Sequence, residues 1–428
     1  MPACTNRKDS PRWRKPQSPG MTTRPIANPH WRRNLAVCMF GSFTTIVAMT
    51  LLLPFLPLYV EQLGEHEPAD IVQWSGAAFG ATFFSAALVA PLWGRLADRY
   101  GRKLMLIRAS LGMAVAMALI GLAQSAWQLV ALRLLAGLLG GYASGSSVLV
   151  ATQTPREKTG WALGTLSSAV MAGNLAGPLL GGWLPPMIGI RATFFGAGAV
   201  IFLAFLATTT LIREDRPNRA NAGNTGRSAR ALGWADITDR RPLVAMLFTG
   251  MLLMLANMSI EPIITVYVAQ LVRDPAQVTK TAGVVMSAAA LGSILSAARL
   301  GCLADRIGHW SVIIASLAVA ALLLIPQAFV DTGWQLVLLR FLMGLALGGL
   351  LPCIASVIRH HVPDAVAGQM LGLSISSQYA GQVAGPLLGG FVGGHCGMRA
   401  VFFGTCALMT MGAAWNWLAQ ARYRGVAA

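Results

Sequence analysis

Between two long apolar runs lies the charged, glycine-punctuated stretch Gly94-Arg95-Leu96-Ala97-Asp98-Arg99-Tyr100-Gly101-Arg102-Lys103. A weaker copy, Gly301-Cys302-Leu303-Ala304-Asp305-Arg306-Ile307-Gly308, returns 207 residues later. Other matches keep the same spacing. Trp127-Gln128-Leu129-Val130 with Arg133 reappears at 207 as Trp334-Gln335-Leu336-Val337 with Arg340. Ala176-Gly177-Pro178-Leu179-Leu180-Gly181-Gly182 reappears at 208 as Ala384-Gly385-Pro386-Leu387-Leu388-Gly389-Gly390, and Tyr59-Val60 as Tyr267-Val268. The chain is one unit built twice. Each unit holds six apolar segments, and an even number inserts both copies in the same orientation. Two parallel bundles related by an axis along the membrane normal follow, with a substrate site between them.

The apolar segments are membrane spans. Hydrophobic residues make up 55% of the chain and charged residues only 11%, where soluble domains carry about 25% charged residues. The expected spans are 34-60, 71-93, 104-123, 127-150, 161-185, 192-212, 242-269, 282-303, 311-330, 334-358, 368-393 and 399-419, each near the ~20 residues that cross a bilayer. The fold class is an all-α membrane protein of twelve transmembrane helices in two pseudo-symmetric six-helix bundles. Its expected parts are a disordered basic tail (1-33), a first bundle (34-212), a flexible linker (213-241), a second bundle (242-419) and a short tail (420-428). A surface helix is expected within the linker at Trp234 to Asp239. The amino tail is no secretory signal, because the apolar run after it is too long for an h-region. Met1 and Met21 are both candidate starts.

The net charge of +17 reads as topology rather than as nucleic-acid binding. Of the 33 Lys and Arg residues, 27 fall on one face, and only Arg191, Arg273, Lys280 and Arg399 fall in the opposite loops. Both termini are therefore expected in the cytoplasm, at a bacterial inner membrane. The six cysteines are scattered without ligand spacing, so neither a metal site nor a disulfide framework is expected. No Walker-type loop and no nucleophile–base constellation stand in the sequence, so ATP is not the driver, no cofactor is needed and no enzyme is expected.

Several residues are out of place in an apolar span unless they have work there. Arg133 and Arg340 lie about two turns inside theirs, and a buried guanidinium must face a partner or a wet cavity. Glu261, followed by Pro262, is the one acid deep within a span. Apolar walls favour its neutral form, which makes it a candidate proton carrier, with Arg133 of the other half as its expected counter-charge. Asn174, Asn257, Gln378 and Gln382 are intramembrane amides for cargo or for helix pairing. Glycines four apart at Gly173, Gly177 and Gly181 admit a neighbouring helix closely, and Pro178 removes one ladder bond. Gly385 and Pro386 repeat the pattern. An aspartate in a basic connector invites a helix N-terminus as partner.

These features together resemble the major facilitator superfamily, and within it the twelve-span drug:proton antiporters. The stretches Trp161-Ala162-Leu163-Gly164-Thr165-Leu166-Ser167 and Pro54-Phe55-Leu56-Pro57-Leu58-Tyr59-Val60-Glu61-Gln62-Leu63 carry the narrower likeness. The resemblance implies that Gly94, Asp98, Arg99, Gly101 and Arg102 form a conformational clamp. Asp98 would dock at the start of the eleventh span, after Pro363 and Asp364, when the cavity faces outward. By pseudo-symmetry Asp305, with Arg306, would face the start of the fifth. The Gly-Pro pattern implies export, and Arg133 a share in proton coupling. The chain departs from its relatives in having no acid between Asn34 and Val60.

The expected function is efflux of amphipathic organic compounds in exchange for protons by alternating access, by a monomer. A transporter of sugars or polar metabolites on the same fold, and a membrane sensor or lipid scramblase, are the rivals. A cavity rich in Met, Leu and Phe argues against polar cargo, and transport with and without a pH gradient separates the rest. Topology is tested directly. Ser228→Cys in the linker should react with an impermeant thiol reagent only in inside-out vesicles, with Cys396 as the control for the opposite face. Labelling of that cysteine in intact spheroplasts would reverse the orientation.

Overall fold

The computed structural model describes residues 29–214 and 240–427. The first span is broken: α1 (Trp31–Leu51) stops before Pro54, and α2 (Leu56–Gln62) resumes with Pro57 in its first turn. Two prolines three residues apart remove two successive ladder bonds, more than one helix absorbs. The copy in the second half keeps only Pro262, and α9 (Arg241–Leu271) runs through it.

The second and third spans are α3 (Pro68–Tyr100) and α4 (Arg102–Ile120). The fourth is two half-helices, α5 (Ala126–Leu139) and α6 (Tyr142–Gln153), followed by α7 (Thr159–Ile188) and α8 (Ile190–Leu211). The second half repeats the plan with α9, α10 (Pro275–Ile307), α11 (His309–Gln327), α12 (Gly333–Leu347), α13 (Leu350–His361), α14 (Asp364–Cys396) and α15 (Met398–Ala427). Eleven of the spans are long and apolar enough to cross a membrane among the described residues. The remaining span, glycine-rich α14, stands where α7 stands in the first half.

Several expectations on boundaries are corrected. The connector expected as a loop over 94–103 is helical through Tyr100, and only Gly101 separates α3 from α4. Gly101 has φ +97°, a conformation costly for residues with a Cβ. Gly308, Gly189 and Gly397 make the same one-residue junctions with φ between +86° and +93°. The amino tail was expected to be disordered through 33, but Trp31, Arg32 and Arg33 open α1. Arg241 belongs to α9 rather than the linker, and the carboxyl tail continues α15. The expected surface helix at Trp234 to Asp239 lies outside the described residues.

Duplication extends to single hydrogen bonds. Tyr59 Oη donates to the carbonyl of Ile120, the last residue of α4, at 2.6 Å, and Tyr267 Oη donates to Gln327, the last residue of α11, at 2.9 Å. Phe194 lies against Tyr59, and its copy Phe402 against Tyr267. Each hydroxyl satisfies a helix-end carbonyl that has no intrahelical donor. Tyr59→Phe and Tyr267→Phe should each cost about 1 kcal/mol, read as a fall in thermal midpoint of the purified protein in detergent. A midpoint unchanged in both variants would show that neither carbonyl depends on its tyrosine.

Candidate functional site

The halves meet along two seams built from the same residues. Gly76 of α3 lies on the Pro386 carbonyl and against Gly390 of α14, and Gly283 of α10 lies on the Pro178 carbonyl and against Gly182 of α7. Gly76 and Gly283 are copies of each other, as are Pro178 and Pro386, and Gly182 and Gly390. Ser287 Oγ donates across the second seam to the Leu175 carbonyl at 2.9 Å, and Lys280 lies over the Trp183 ring. A Cβ at any of these glycines would run into backbone of the other half. All these contacts lie toward the helix ends far from the connectors. At the connector ends Asp98 and Asp305 are each 75% exposed. The bundles are thus in contact on the far face, and neither connector aspartate is covered by the opposite bundle.

The Gly-Pro motif therefore has two sides. Gly173, Gly177 and Gly181 pack α7 onto α1 within the first half, with Phe43, Val47 and Leu51 carbonyls beneath them. Gly381, Gly385 and Gly389 pack α14 onto α9 in the same way. Pro178, Gly182, Pro386 and Gly390 face the other bundle. Sequence spacing found the first face. The second needed Gly76 and Gly283, which no motif singled out, although they too recur at 207.

In this closed-far-face state neither connector aspartate reaches a helix start. Asp98 Oδ1 pairs at 3.5 Å with Arg102 one turn on, and Asp305 Oδ1 sits 3.7 Å from His309 Nε2. Arg99 and Arg306 are exposed beside them. The carboxylate that does cap a helix here is Glu214, just past α8. It accepts the backbone N–H groups of Arg102 and Lys103, both at 2.8 Å, at the start of α4. Two unpaired amides and the positive end of the helix favour that charge by about 0.5–2 kcal/mol. A Cβ on Gly101 would sit 3.0 Å from its Oε2. Sequence reasoning placed Glu214 in the linker; an acid directly after a span among basic residues was the available signal.

Arg133 is 1% exposed and is held by α3. Its Nε donates to the Ala78 carbonyl at 3.3 Å, and its guanidinium lies 5.6 Å from the Phe79 ring centroid. Thr82 and Ser85 donate in return to the carbonyls of Arg133 and Leu134. Gly140 and Gly141 then break the span, Gly141 with φ +102°. Carbonyls freed there are taken up by residues outside the motifs. Arg108 of α4 donates to Gly140 at 2.9 Å and Leu138 at 3.4 Å, stacked 3.5 Å from the Trp93 ring centroid, and Trp93 Nε1 also donates to Leu138.

Arg340 is 4% exposed, yet its Nε and Nη2 have no hydrogen-bond partner. Glu261, half-buried in α9, likewise has an unpaired Oε2. The two are electrostatic neighbours within one bundle. Arg340, in the same half, is the cation whose charge acts on Glu261, although the two form no ion pair within 4 Å, and Arg133 of the other half is bonded to α3 with its Nη1 left unpaired. The copy of Glu261 is Leu53, so only the second bundle holds such a pair. Of the amides, Gln382 reaches Met254 Sδ on α9 and Gln378 bonds Ser374 in its own helix. Asn174 is exposed and Asn257 half-buried. Fully buried Gln327 and Asn416, which the sequence reading passed over, bond within their bundle.

A multi-pass bundle with two copies of one seam is the plan of a membrane transporter, and the chain belongs to the Major Facilitator Superfamily, whose family model matches residues 38–279 and 246–425. The chain is similar to the multidrug resistance protein MdtG of Salmonella typhimurium, 42% identical over 92% of this chain and 97% of that protein. Among solved structures it shares its fold with a bacterial homolog to the human lysosomal transporter Spinster, in an inward-facing and occupied conformation. That match has TM-score 0.73 and 15% identity, over 92% of this chain and 98% of that one. It likewise shares the fold of the nucleoside transporter NupG, with TM-score 0.71 and 13% identity, over 90% and 98%.

The seams make a direct prediction. Gly283→Val should force α7 from α10 and favour opening of the far face. A cysteine at Asn174 should then label from that face at least several-fold faster, with transport reduced. Equal labelling in Gly283→Val and the parent would mean that the seam does not hold the far face shut.

Proposed function

We propose that the chain is a secondary multidrug efflux transporter of the bacterial inner membrane, with both termini cytoplasmic, exporting amphipathic organic compounds in exchange for protons. The likeness to MdtG along nearly the whole chain supports the cargo class. The observation that carries the coupling is half-buried Glu261 and buried Arg340, opposite charges in one bundle that act on each other and each keep polar atoms unpaired. With the connector face as the cytoplasmic one, the state described is inward-open. Arg340 is the counter-charge against which Glu261 gives up its proton to the cytoplasm. When the bundles rock and the far face opens, the water that reaches the second bundle comes from outside, and Glu261 takes its proton from there. A ligand that favours the charged carboxyl and a proton that neutralises it then exclude each other, which is what antiport requires. Arg133 stays a structural anchor of α5 on α3 in this scheme.

Everted membrane vesicles with an imposed pH gradient and a fluorescent amphipathic dye test the proposal. Glu261→Gln should lower gradient-driven dye accumulation at least tenfold while dye binding to the purified protein persists and loses its pH dependence. Arg340→Gln should flatten the pH dependence of binding, and Arg133→Gln should leave it in place. Full gradient-driven accumulation by Glu261→Gln would remove the carboxyl from the coupling path. Accumulation of polar metabolites in place of the dye would favour the polar-cargo reading.

A further inference from the structure

Three cations, Arg32, Arg33 and Lys158, stand where α1 and α7 begin, and among the described residues no acid forms an ion pair with them. Arg32 lies 5.4 Å and Lys158 5.9 Å from the Trp31 ring centroid, and Trp31 meets Trp161 edge-on at 6.4 Å. Arg33 follows directly, and its buried Nε and Nη2 have no hydrogen-bond partner. The ion pairs among the described residues are Asp98–Arg102 and Asp305–His309, and neither involves this group. Glu157, the acid beside Lys158, is exposed and pairs with none of the three. The group repels itself unless an anion joins it.

We propose that Trp31, Arg32, Arg33, Lys158 and Trp161 form a binding site for the phosphodiester headgroup of an anionic lipid on the connector face of the membrane. The aromatic rings select a lipid over a free phosphate. Trp161 is 62% exposed, so its ring offers a wall to the glycerol and first methylenes. Indole rings settle at the headgroup level, and juxtamembrane cations draw acidic lipids there. A soluble anion would use the charges and leave the rings idle. Lys158 also precedes α7, the helix that carries Pro178 and Gly182 into the seam, so a lipid held here touches a helix that slides. Neither coupling nor cargo enters this assignment.

Native mass spectrometry of the full chain, released from detergent after titration with phosphatidylglycerol or phosphatidylcholine, tests the site. The parent should retain one phosphatidylglycerol more than the variant Arg32→Ala/Arg33→Ala/Lys158→Ala, and show no such excess of phosphatidylcholine. Arg32→Lys/Arg33→Lys keeps the charge and should keep the lipid. Trp31→Phe/Trp161→Phe should weaken retention several-fold while the protein stays monodisperse. Equal retention by the triple-alanine variant would overturn the proposal. So would displacement of the lipid by millimolar glycerol phosphate, which would make the site one for a soluble anion.

Discussion

In the apolar interior of a bilayer every backbone N–H and C=O must find a partner inside the protein, and this chain breaks its helices where it can least leave them open. Several of its breaks and helix ends are met by a side chain from elsewhere. Tyr59 and Tyr267 close the ends of α4 and α11. Arg108 and Trp93 take the carbonyls released at Gly140 and Gly141. Arg133 takes the Ala78 carbonyl, and Glu214 the first amides of α4. These are the fixed points around which the glycine seams are free to be smooth.

The two halves share a backbone plan but not a charge plan. Trp93 and Arg108 correspond to Leu300 and Ala315, so the break between α12 and α13 has no such brace. Its glycines, Gly348 and Gly349, are right-handed and keep the chain nearly helical, with Gly348 N–H still bonded to the Gly344 carbonyl. Arg102 beside Asp98 corresponds to His309 beside Asp305, and Leu53 to Glu261. Both bundles keep buried guanidinium atoms without partners, Arg133 Nη1 and Arg108 Nε in the first and Arg340 Nε and Nη2 in the second, but only the second adds an intramembrane carboxyl, Glu261, to them.

Much of this was legible before any coordinates. The 207- and 208-residue repeats pointed to two all-helical halves, and eleven helices long and apolar enough to cross a membrane stand among the described residues, because apolar length and duplication are written in one dimension. Arg133, Arg340 and Glu261 stood out because charge in an apolar run is conspicuous. What could not be read was pairing. That Arg340 rather than Arg133 is the cation acting electrostatically on Glu261 depends on which helices are neighbours, not on which residues are unusual. Glu214 and Arg108 escaped for the opposite reason: near a membrane edge a charged residue looks ordinary, and only its distance to a bare helix end shows its use. Gly101 was seen as a turn glycine, but the helical state of residues 94–100 was hidden by their charge.

The seams have a kinetic meaning that their chemistry alone does not suggest. Gly76 against the Pro386 carbonyl and Gly283 against the Pro178 carbonyl are contacts of backbone on backbone. At these two contacts no side chain interdigitates. Most packed helices must unlock side chains before they part, and each locked rotamer adds to the activation barrier. Here few side chains, Ser287 and Lys280 among them, have to let go before the surfaces slide. The far face can therefore be tightly sealed at equilibrium and still open quickly, so that tightness of closure and speed of turnover are set by separate features of the chain.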